Sequence, residues 1–249
     1  MRRLALLTLL LPSLAFAKPV ALTSKDGTSL HAEVSGAGAR GVILLHGEGS
    51  NAATWNSVRE QLATHGYQVL ALDLRGCGTS KGTADEAGWA HSPEDVAAAL
   101  AWLKAHGSTK VALLGTEGGG VVALQSAVGQ PMVDSVIVLS PRLSAPGLKV
   151  SAAIEAYGAH PLLIVTGSTD TTGVRAAAAL EPRALGLKRV ELVENGGIGA
   201  VLFNQSSTLE GTVVQWLADG GPTPEDHKAE SLRTAAPDDL ETTGTRYGQ

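Results

Sequence analysis

The chain has 249 residues, of which 44% are hydrophobic, so it is long enough to bury the core of one large domain. Its formal net charge is -5, and no basic stripe runs along the sequence, which argues against nucleic acid as a partner. It contains a single cysteine, which excludes an internal disulfide. We therefore expect one domain, stabilised by its hydrophobic core, with a small molecule as a possible ligand.

The first residues have the pattern of a secretory signal peptide. Arg2 and Arg3 precede an apolar run over residues 4–11, and Ala15-Phe16-Ala17 has the A-x-A form of a cleavage site. The apolar run is too short for a membrane span, and no cysteine follows the cleavage site to carry a lipid. We expect cleavage after Ala17 and a secreted or periplasmic protein that keeps no membrane anchor.

The opposite end of the chain differs in composition from the rest. Residues 219–249 are acidic and contain too few apolar side chains to bury a face, so we expect a disordered tail there. This assignment leaves residues 18–218 as the folded domain.

That domain alternates short apolar runs with helical patterns, which predicts an α/β fold. Residues 20–24 and 29–35 flank Asp26-Gly27, a turn signal that predicts an opening antiparallel hairpin. Further buried strands are predicted at residues 41–45, 69–72, 111–114, 133–139, 161–165 and 190–193. We expect a mostly parallel, doubly wound sheet whose working end lies at the carboxyl ends of these strands.

A helix start is predicted at residues 92–95, Ser-Pro-Glu-Asp. Ser92 would be the N-cap, Pro93 would occupy the first helical position, and Asp95 would complete a capping-box pattern.

The strand at residues 111–114 runs into a glycine-rich turn at residues 115–120 and then into an apolar helical pattern. This arrangement resembles the nucleophile elbow of the α/β-hydrolase family, which reads G-x-S-x-G. Gly115 and Gly119 fill the two glycine places, and Glu117 stands where the family has its serine. The resemblance implies the fold of that family with a carboxylate in place of the nucleophile.

Two further segments resemble other parts of the same family. His46-Gly47-Glu48 follows a buried strand where the family places a loop of its oxyanion hole. The resemblance implies that Glu48 and Gly118 supply backbone amides and that His46 and Gly47 line the pocket, with His46 as the nearest alternative base. Residues 73–80 are similar to the D-x-R-G-x-G-x-S segment, whose role in the family is usually structural.

Of the two remaining catalytic positions, one keeps the residue of the family and the other does not. Asp170 follows a predicted strand in a G-x-x-D pattern and matches the acid of the family. Ile198 lies between Gly197 and Gly199, where the family reads G-H-G and has its catalytic histidine. The short interval between the strands at 133–139 and 161–165 leaves no room for a helical lid, so the layout resembles the dienelactone-hydrolase and small esterase branches.

The double replacement at Glu117 and Ile198 decides the leading hypothesis. Losing the nucleophile or the histidine removes most of the roughly 10⁶-fold contribution of a triad. We therefore expect a secreted pseudo-hydrolase without Ser-His-Asp catalysis, which binds a small molecule or a partner at the old cleft and needs no cofactor or metal.

Two alternatives stay open. The chain could be an active esterase with an unorthodox site in which Glu117 serves as nucleophile or base. It could also be a cation-binding module formed by Glu117, Glu48 and Asp170, because hard oxygen ligands suit calcium or an organic amine. For Glu117 itself a structural interpretation is also open, in which the carboxylate caps the elbow helix.

Overall fold

The structure, a computed structural model, describes residues 17–219. The predicted signal peptide up to residue 16 and the predicted tail beyond residue 219 lie outside the described residues. Within that range no helix combines the length and the apolar character needed to cross a membrane.

Within the described range the backbone forms ten strands and eight α-helices. The strands are β1 (Lys18–Thr23), β2 (Ser29–Ser35), β3 (Arg40–Leu45), β4 (Gln68–Leu72), β5 (Lys110–Thr116), β6 (Val133–Leu139), β7 (Ser144–Ala145), β8 (Leu148–Lys149), β9 (Leu162–Gly167) and β10 (Lys188–Val193). The helices are α1 (Asn56–Thr64), α2 (Glu86–Trp89), α3 (Ser92–Ala105), α4 (Gly118–Ala127), α5 (Val150–Ala156), α6 (Thr171–Leu180), α7 (Leu202–Gln205) and α8 (Leu209–Asp219).

Eight of the strands form one sheet in the order β1-β2-β4-β3-β5-β6-β9-β10. β1 pairs antiparallel with β2, β2 pairs antiparallel with β4, and the pairs from β4 to β10 are all parallel. The predicted α/β-hydrolase fold, with its opening hairpin, is confirmed. Between β6 and β9 the chain forms only the small β7–β8 hairpin and α5, so a helical lid is absent from this part of the described chain.

The core has two layers because successive side chains of a buried strand point to opposite faces. In β3, Ile43 and Leu45 join the layer that contains residues of α3, α4 and α5, whereas Val42 and Leu44 join the layer of α1 and α8. Helices therefore cover both faces of the sheet, and the carboxyl ends of the parallel strands share one edge, which is where an open α/β sheet binds its ligand.

The start of α3 differs from the sequence prediction. The helix begins at Ser92 with His91 as its N-cap, and no side chain caps it. Asp95 is fully buried and accepts hydrogen bonds from Arg75 Nε at 2.8 Å and Arg75 Nη2 at 2.5 Å. The capping-box prediction is wrong because a buried guanidinium needs a charged partner, and Asp95 provides it.

Candidate active site

The centre of the site is the turn between β5 and α4. Glu117 occupies this turn with φ 52° and ψ -123°, an unusual conformation for a residue other than glycine. Its backbone N–H donates to Leu139 O at 3.0 Å, and its carbonyl accepts from Gly120 N at 3.0 Å. Such a conformation costs on the order of 1–3 kcal/mol and persists only where its surroundings hold it.

Close backbone packing explains the two glycines of the elbow pattern. A Cβ at Gly115 would lie 2.3 Å from Gly119 O, and a Cβ at Gly119 would lie 2.4 Å from the carbonyl oxygens of Leu45 and His46. Both distances are too short for a side chain. The glycines are therefore required by the sharp turn, as the resemblance to the nucleophile elbow implies.

The Glu117 side chain does not cap the helix that it precedes. It makes no capping hydrogen bond, and its Oε1 lies 3.5 Å from Arg142 Nη2. The interpretation of Glu117 as a helix cap is therefore wrong. Burial raises the pKa of Glu117 above its ordinary value of 4.5, and although Arg142 lowers it, Glu48 and Asp170 raise it further.

Arg142 joins the two acidic positions of the elbow region. Its Nη1 donates to Asp170 Oδ2 at 3.1 Å and to the carbonyls of Ser140 and Pro141 at 3.1 and 3.0 Å. No motif in the sequence indicates a role for Arg142. It lies three residues beyond the end of β6, and β6 lies between β5 and β9 in the sheet, so its position near a strand end was the available signal.

Asp170 lies at the predicted place of the catalytic acid, after β9. It is 2% exposed, and its Oδ1 accepts from Gly173 N at 2.9 Å, which caps α6. Its charged partner is Arg142. An arginine therefore takes the position beside this carboxylate that a histidine takes in a hydrolase triad.

The loop after β10 places Gly199 against the elbow. A Cβ on Gly199 would lie 3.5 Å from Glu117 Oε2, and the Gly199 N–H donates to Ser140 Oγ at 2.8 Å. Ile198, which the family resemblance puts at the histidine position, is 48% exposed. The residue of this loop that faces Glu117 is thus a glycine, one position beyond Ile198.

His46 cannot replace the missing histidine as a base. It is fully buried, its Nε2 accepts from Leu74 N at 3.0 Å, and its Nδ1 donates to Gly47 O at 2.8 Å. Burial lowers the pKa of His46 below its ordinary value. Both ring nitrogens are used to hold the loop after β3, so neither is free to take a proton from a substrate.

The backbone amide expected to stabilise an oxyanion has a partner within the chain. Gly118 N donates to Glu48 Oε2 at 3.1 Å, so Glu48 contributes its side chain to this region. Glu48 also borders a cavity of about 960 Å³. The other residues that line this cavity are Glu86, Gln125, Ser144, Ala145, Pro146, Gly147, Leu148, Lys149, Ser151 and Ala152.

The geometry argues against a cation site at the elbow. The guanidinium of Arg142 lies between Glu117 and Asp170, where a metal ion would have to bind. Over residues 17–219, the group of carboxylates and histidine close enough to share one ion is Asp26, His91 and Glu94, on the surface. The hypothesis of a cation-binding module formed by Glu117, Glu48 and Asp170 is therefore not supported.

Comparison with known proteins places these features in a family. The family described as serine aminopeptidase, S33, matches residues 38–175. A pimeloyl-[acyl-carrier protein] methyl ester esterase from Pectobacterium carotovorum is 36% identical over 128 residues, which are 49% of this chain and 47% of that protein. The enzyme of the same name from Aliivibrio fischeri is 36% identical over 121 residues, 47% of this chain and 43% of that protein. The chain thus spans about half the length of these relatives.

Solved structures agree on the fold. The Pyrococcus furiosus esterase Pf2001 superposes with a TM-score of 0.70 at 19% identity, covering 84% of this chain and 92% of that one. An esterase from Exiguobacterium antarcticum superposes with a TM-score of 0.66 at 19% identity, covering 80% of this chain and 99% of that one.

These relatives correct the leading hypothesis from the sequence. A pseudo-hydrolase without catalysis was expected from the missing serine and histidine, but the relatives at 36% identity are named as esterases. The prediction of an inactive fold is therefore wrong, and the alternative of an active enzyme with an unorthodox site is the better supported one.

Proposed function

This chain belongs to the serine aminopeptidase S33 family of α/β-hydrolases, and on that basis we propose that it hydrolyses carboxylic esters with Glu117 as the reacting group. The observation that carries the proposal is the position of Glu117. Its carboxylate stands on a strained elbow at the carboxyl end of β5, one-third exposed, with a raised pKa. A group so placed can reach a substrate and accept a proton.

We propose that Glu117 acts as a general base on water. Attack of a carboxylate on an ester would give a mixed anhydride, which is more reactive than the ester it replaces. In the proposed reaction Glu117 takes a proton from water while the water oxygen attacks the ester carbonyl. The tetrahedral intermediate then expels the alcohol oxygen, which takes the proton back from Glu117, so an acid and an alcohol are released.

Stabilising the intermediate requires that the backbone amide of Gly118 be free of its hydrogen bond to Glu48. The Gly118 amide is the donor that a developing oxyanion needs, and the Glu48 carboxylate now accepts its hydrogen bond. A carboxylate beside an oxyanion would repel it. In the proposed reaction Glu48 therefore moves away from Gly118 as the substrate carbonyl enters.

Arg142 orients the base. It is 19% exposed and is held by three further acceptors, so its guanidinium presents a fixed positive charge to Glu117. This charge favours the ionised form of Glu117, the form that can accept a proton. Asp170 in turn holds Arg142 in place. In the proposed site Asp170 therefore orients an arginine, whereas the acid of a triad orients a histidine.

The substrate that we propose is a small free ester. The lidless layout typical of dienelactone hydrolases and small esterases leaves the site open to such molecules. The signal-peptide pattern at residues 1–17 suggests action in the periplasm or outside the cell. For that reason we do not extend the carrier-protein substrate named for the relatives to this chain.

Hydrolysis of short-chain p-nitrophenyl esters by the purified protein tests the proposal. We expect turnover by the wild type and a decrease in kcat of about 10²-fold or more in Glu117→Gln, because the amide cannot accept a proton. Glu60→Gln, an exposed glutamate on α1, is the matched control and should retain wild-type turnover. Equal rates in the wild type and Glu117→Gln would refute a role for Glu117 in the chemistry.

A further inference from the structure

Thr116, the last residue of β5, has a buried hydroxyl that the proposed reaction does not yet use. The residue is 2% exposed, and Oγ1 has no hydrogen-bond partner within the described structure. A buried hydroxyl without a partner costs about 1–3 kcal/mol, so such a group calls for a ligand or a water.

The hydroxyl faces a small space that Glu117 also borders. A point one bond from the Gly199 Cα, where a Cβ would lie, is 3.2 Å from Thr116 Oγ1 and 3.5 Å from Glu117 Oε2. Apart from the two chain neighbours of Gly199 and the backbone of the short 3-10 turn that it begins (Gly199–Val201), no other heavy atom of the described chain lies within 4 Å of that point. From outside this short stretch of chain, the groups nearest to that point are therefore one hydroxyl and one carboxylate, the two kinds of group that hold a water molecule.

This space exists because residue 199 has no side chain. Gly199 has φ 79°, in the left-handed region that favours glycine, and its N–H is fixed by Ser140 Oγ at 2.8 Å. Any larger residue would fill the region between Thr116 and Glu117. The loop therefore approaches Thr116 and Glu117 with backbone alone and leaves the region between them unfilled.

We propose that Thr116 and Glu117 together bind the water that attacks the ester, which makes Thr116 a positioning residue of the reaction. The inference rests on the proposed role of Glu117 as a base. The Thr116 hydroxyl donates a hydrogen bond to the water, and the water donates one to Glu117 Oε2. The remaining lone pair of the water oxygen is then free to attack the carbonyl, and the proton passes to Glu117.

Two substitutions at Thr116 test the role of the hydroxyl. Thr116→Val keeps the shape of the side chain and removes the donor, so we expect kcat to fall about 10-fold or more while KM changes less than about 2-fold. Thr116→Ser keeps the hydroxyl and should stay within about 3-fold of the wild type. A Thr116→Val protein with wild-type kcat would overturn the proposal, because a purely structural hydroxyl can be replaced without loss of rate.

A crystal structure gives a readout that does not depend on activity. We expect an ordered water within hydrogen-bond distance of Thr116 Oγ1 and Glu117 in the wild type, and its absence in Thr116→Val. No such water in a well-ordered wild-type site would overturn the inference even if the enzyme is active. If the water is present but hydrolysis is the same in Glu117→Gln, the water site stands and the proposed function fails.

Discussion

The chemistry proposed for Glu117 depends on the neighbouring groups that raise or lower its pKa. Burial and the neighbouring carboxylates of Glu48 and Asp170 disfavour the ionised form, and Arg142 favours it, with a raised pKa as the net result. A base needs this balance because a carboxylate with an ordinary pKa is too weak a proton acceptor, whereas a fully buried one would stay protonated. Because the folded site disfavours the ionised form of Glu117, ionisation lowers the free energy of unfolding by an amount that can be measured.

That cost predicts a pH-dependent stability difference for Glu117→Gln. A raised pKa in the folded state means that the folded protein binds the proton more tightly than the unfolded chain. Its stabilising effect is fully present below the ordinary value of 4.5 and is lost as the pH rises through the raised pKa. In urea unfolding we expect Glu117→Gln to be more stable than the wild type at pH 7, with the difference shrinking as the pH falls through the raised pKa and smallest below pH 4.5.

The exposed Glu60→Gln serves as the control, since it should change stability little at either pH. A Glu117→Gln protein that is equally stable or less stable than the wild type at pH 7 would show that the folded site does not disfavour the carboxylate.

At the scale of elements, the elbow was predictable from the sequence and the start of α3 was not. Gly115 and Gly119 lack a Cβ because the turn and the neighbouring strand β3 pack too closely to admit one. The spacing of the two glycines in the sequence therefore indicates the turn directly. The capping box at residues 92–95 failed because a local pattern cannot show that Asp95 pairs with Arg75 in a different segment. Patterns that reflect local backbone geometry were reliable here, and those that depend on a charged side chain were not.

Two glycine substitutions, one in the elbow and one in α8, should have opposite effects on stability. Gly119→Ala should destabilise the protein by about 3 kcal/mol or more, because its Cβ would lie 2.4 Å from backbone carbonyls that have little freedom to move. Gly211→Ala, in α8, meets no atom within 4 Å and should stabilise the helix by about 0.5–1 kcal/mol. Denaturant midpoints of the two variants measure both effects, and a tolerated Gly119→Ala would contradict the tight packing of the turn.

At the scale of the whole molecule, the sheet order assembles the site from distant segments. β5 lies between β3 and β6, so its carboxyl end places Glu117 beside the loop after β3, with Glu48, and the loop after β6, with Arg142. The sequence predicted the fold and the sharp turn of the elbow, because motifs at strand ends identify them. The position of Arg142 near a strand end was a weak signal, but the roles of Arg142, Thr116 and Gly199 arise from contacts between segments that no motif shows.

The same limit explains the incorrect prediction of an inactive protein. Two catalytic residues of the family are absent, and no motif in the sequence indicated that Arg142 lies beside Glu117. The relatives named as esterases and the arrangement of Glu117, Arg142 and Thr116 favour an enzyme instead.

The pH dependence of ester hydrolysis in the wild type and in Arg142→Gln tests most directly whether Glu117 is the base. For the wild type we expect kcat/KM to rise with pH through one ionisation above 4.5, the ordinary pKa of a glutamate. Arg142 lowers the pKa of Glu117, so its removal should move this ionisation to higher pH, whereas Arg175→Gln, on an exposed face of α6, should leave it in place. A profile that does not move in Arg142→Gln, or that moves to lower pH, would contradict the assignment of Glu117 as the base.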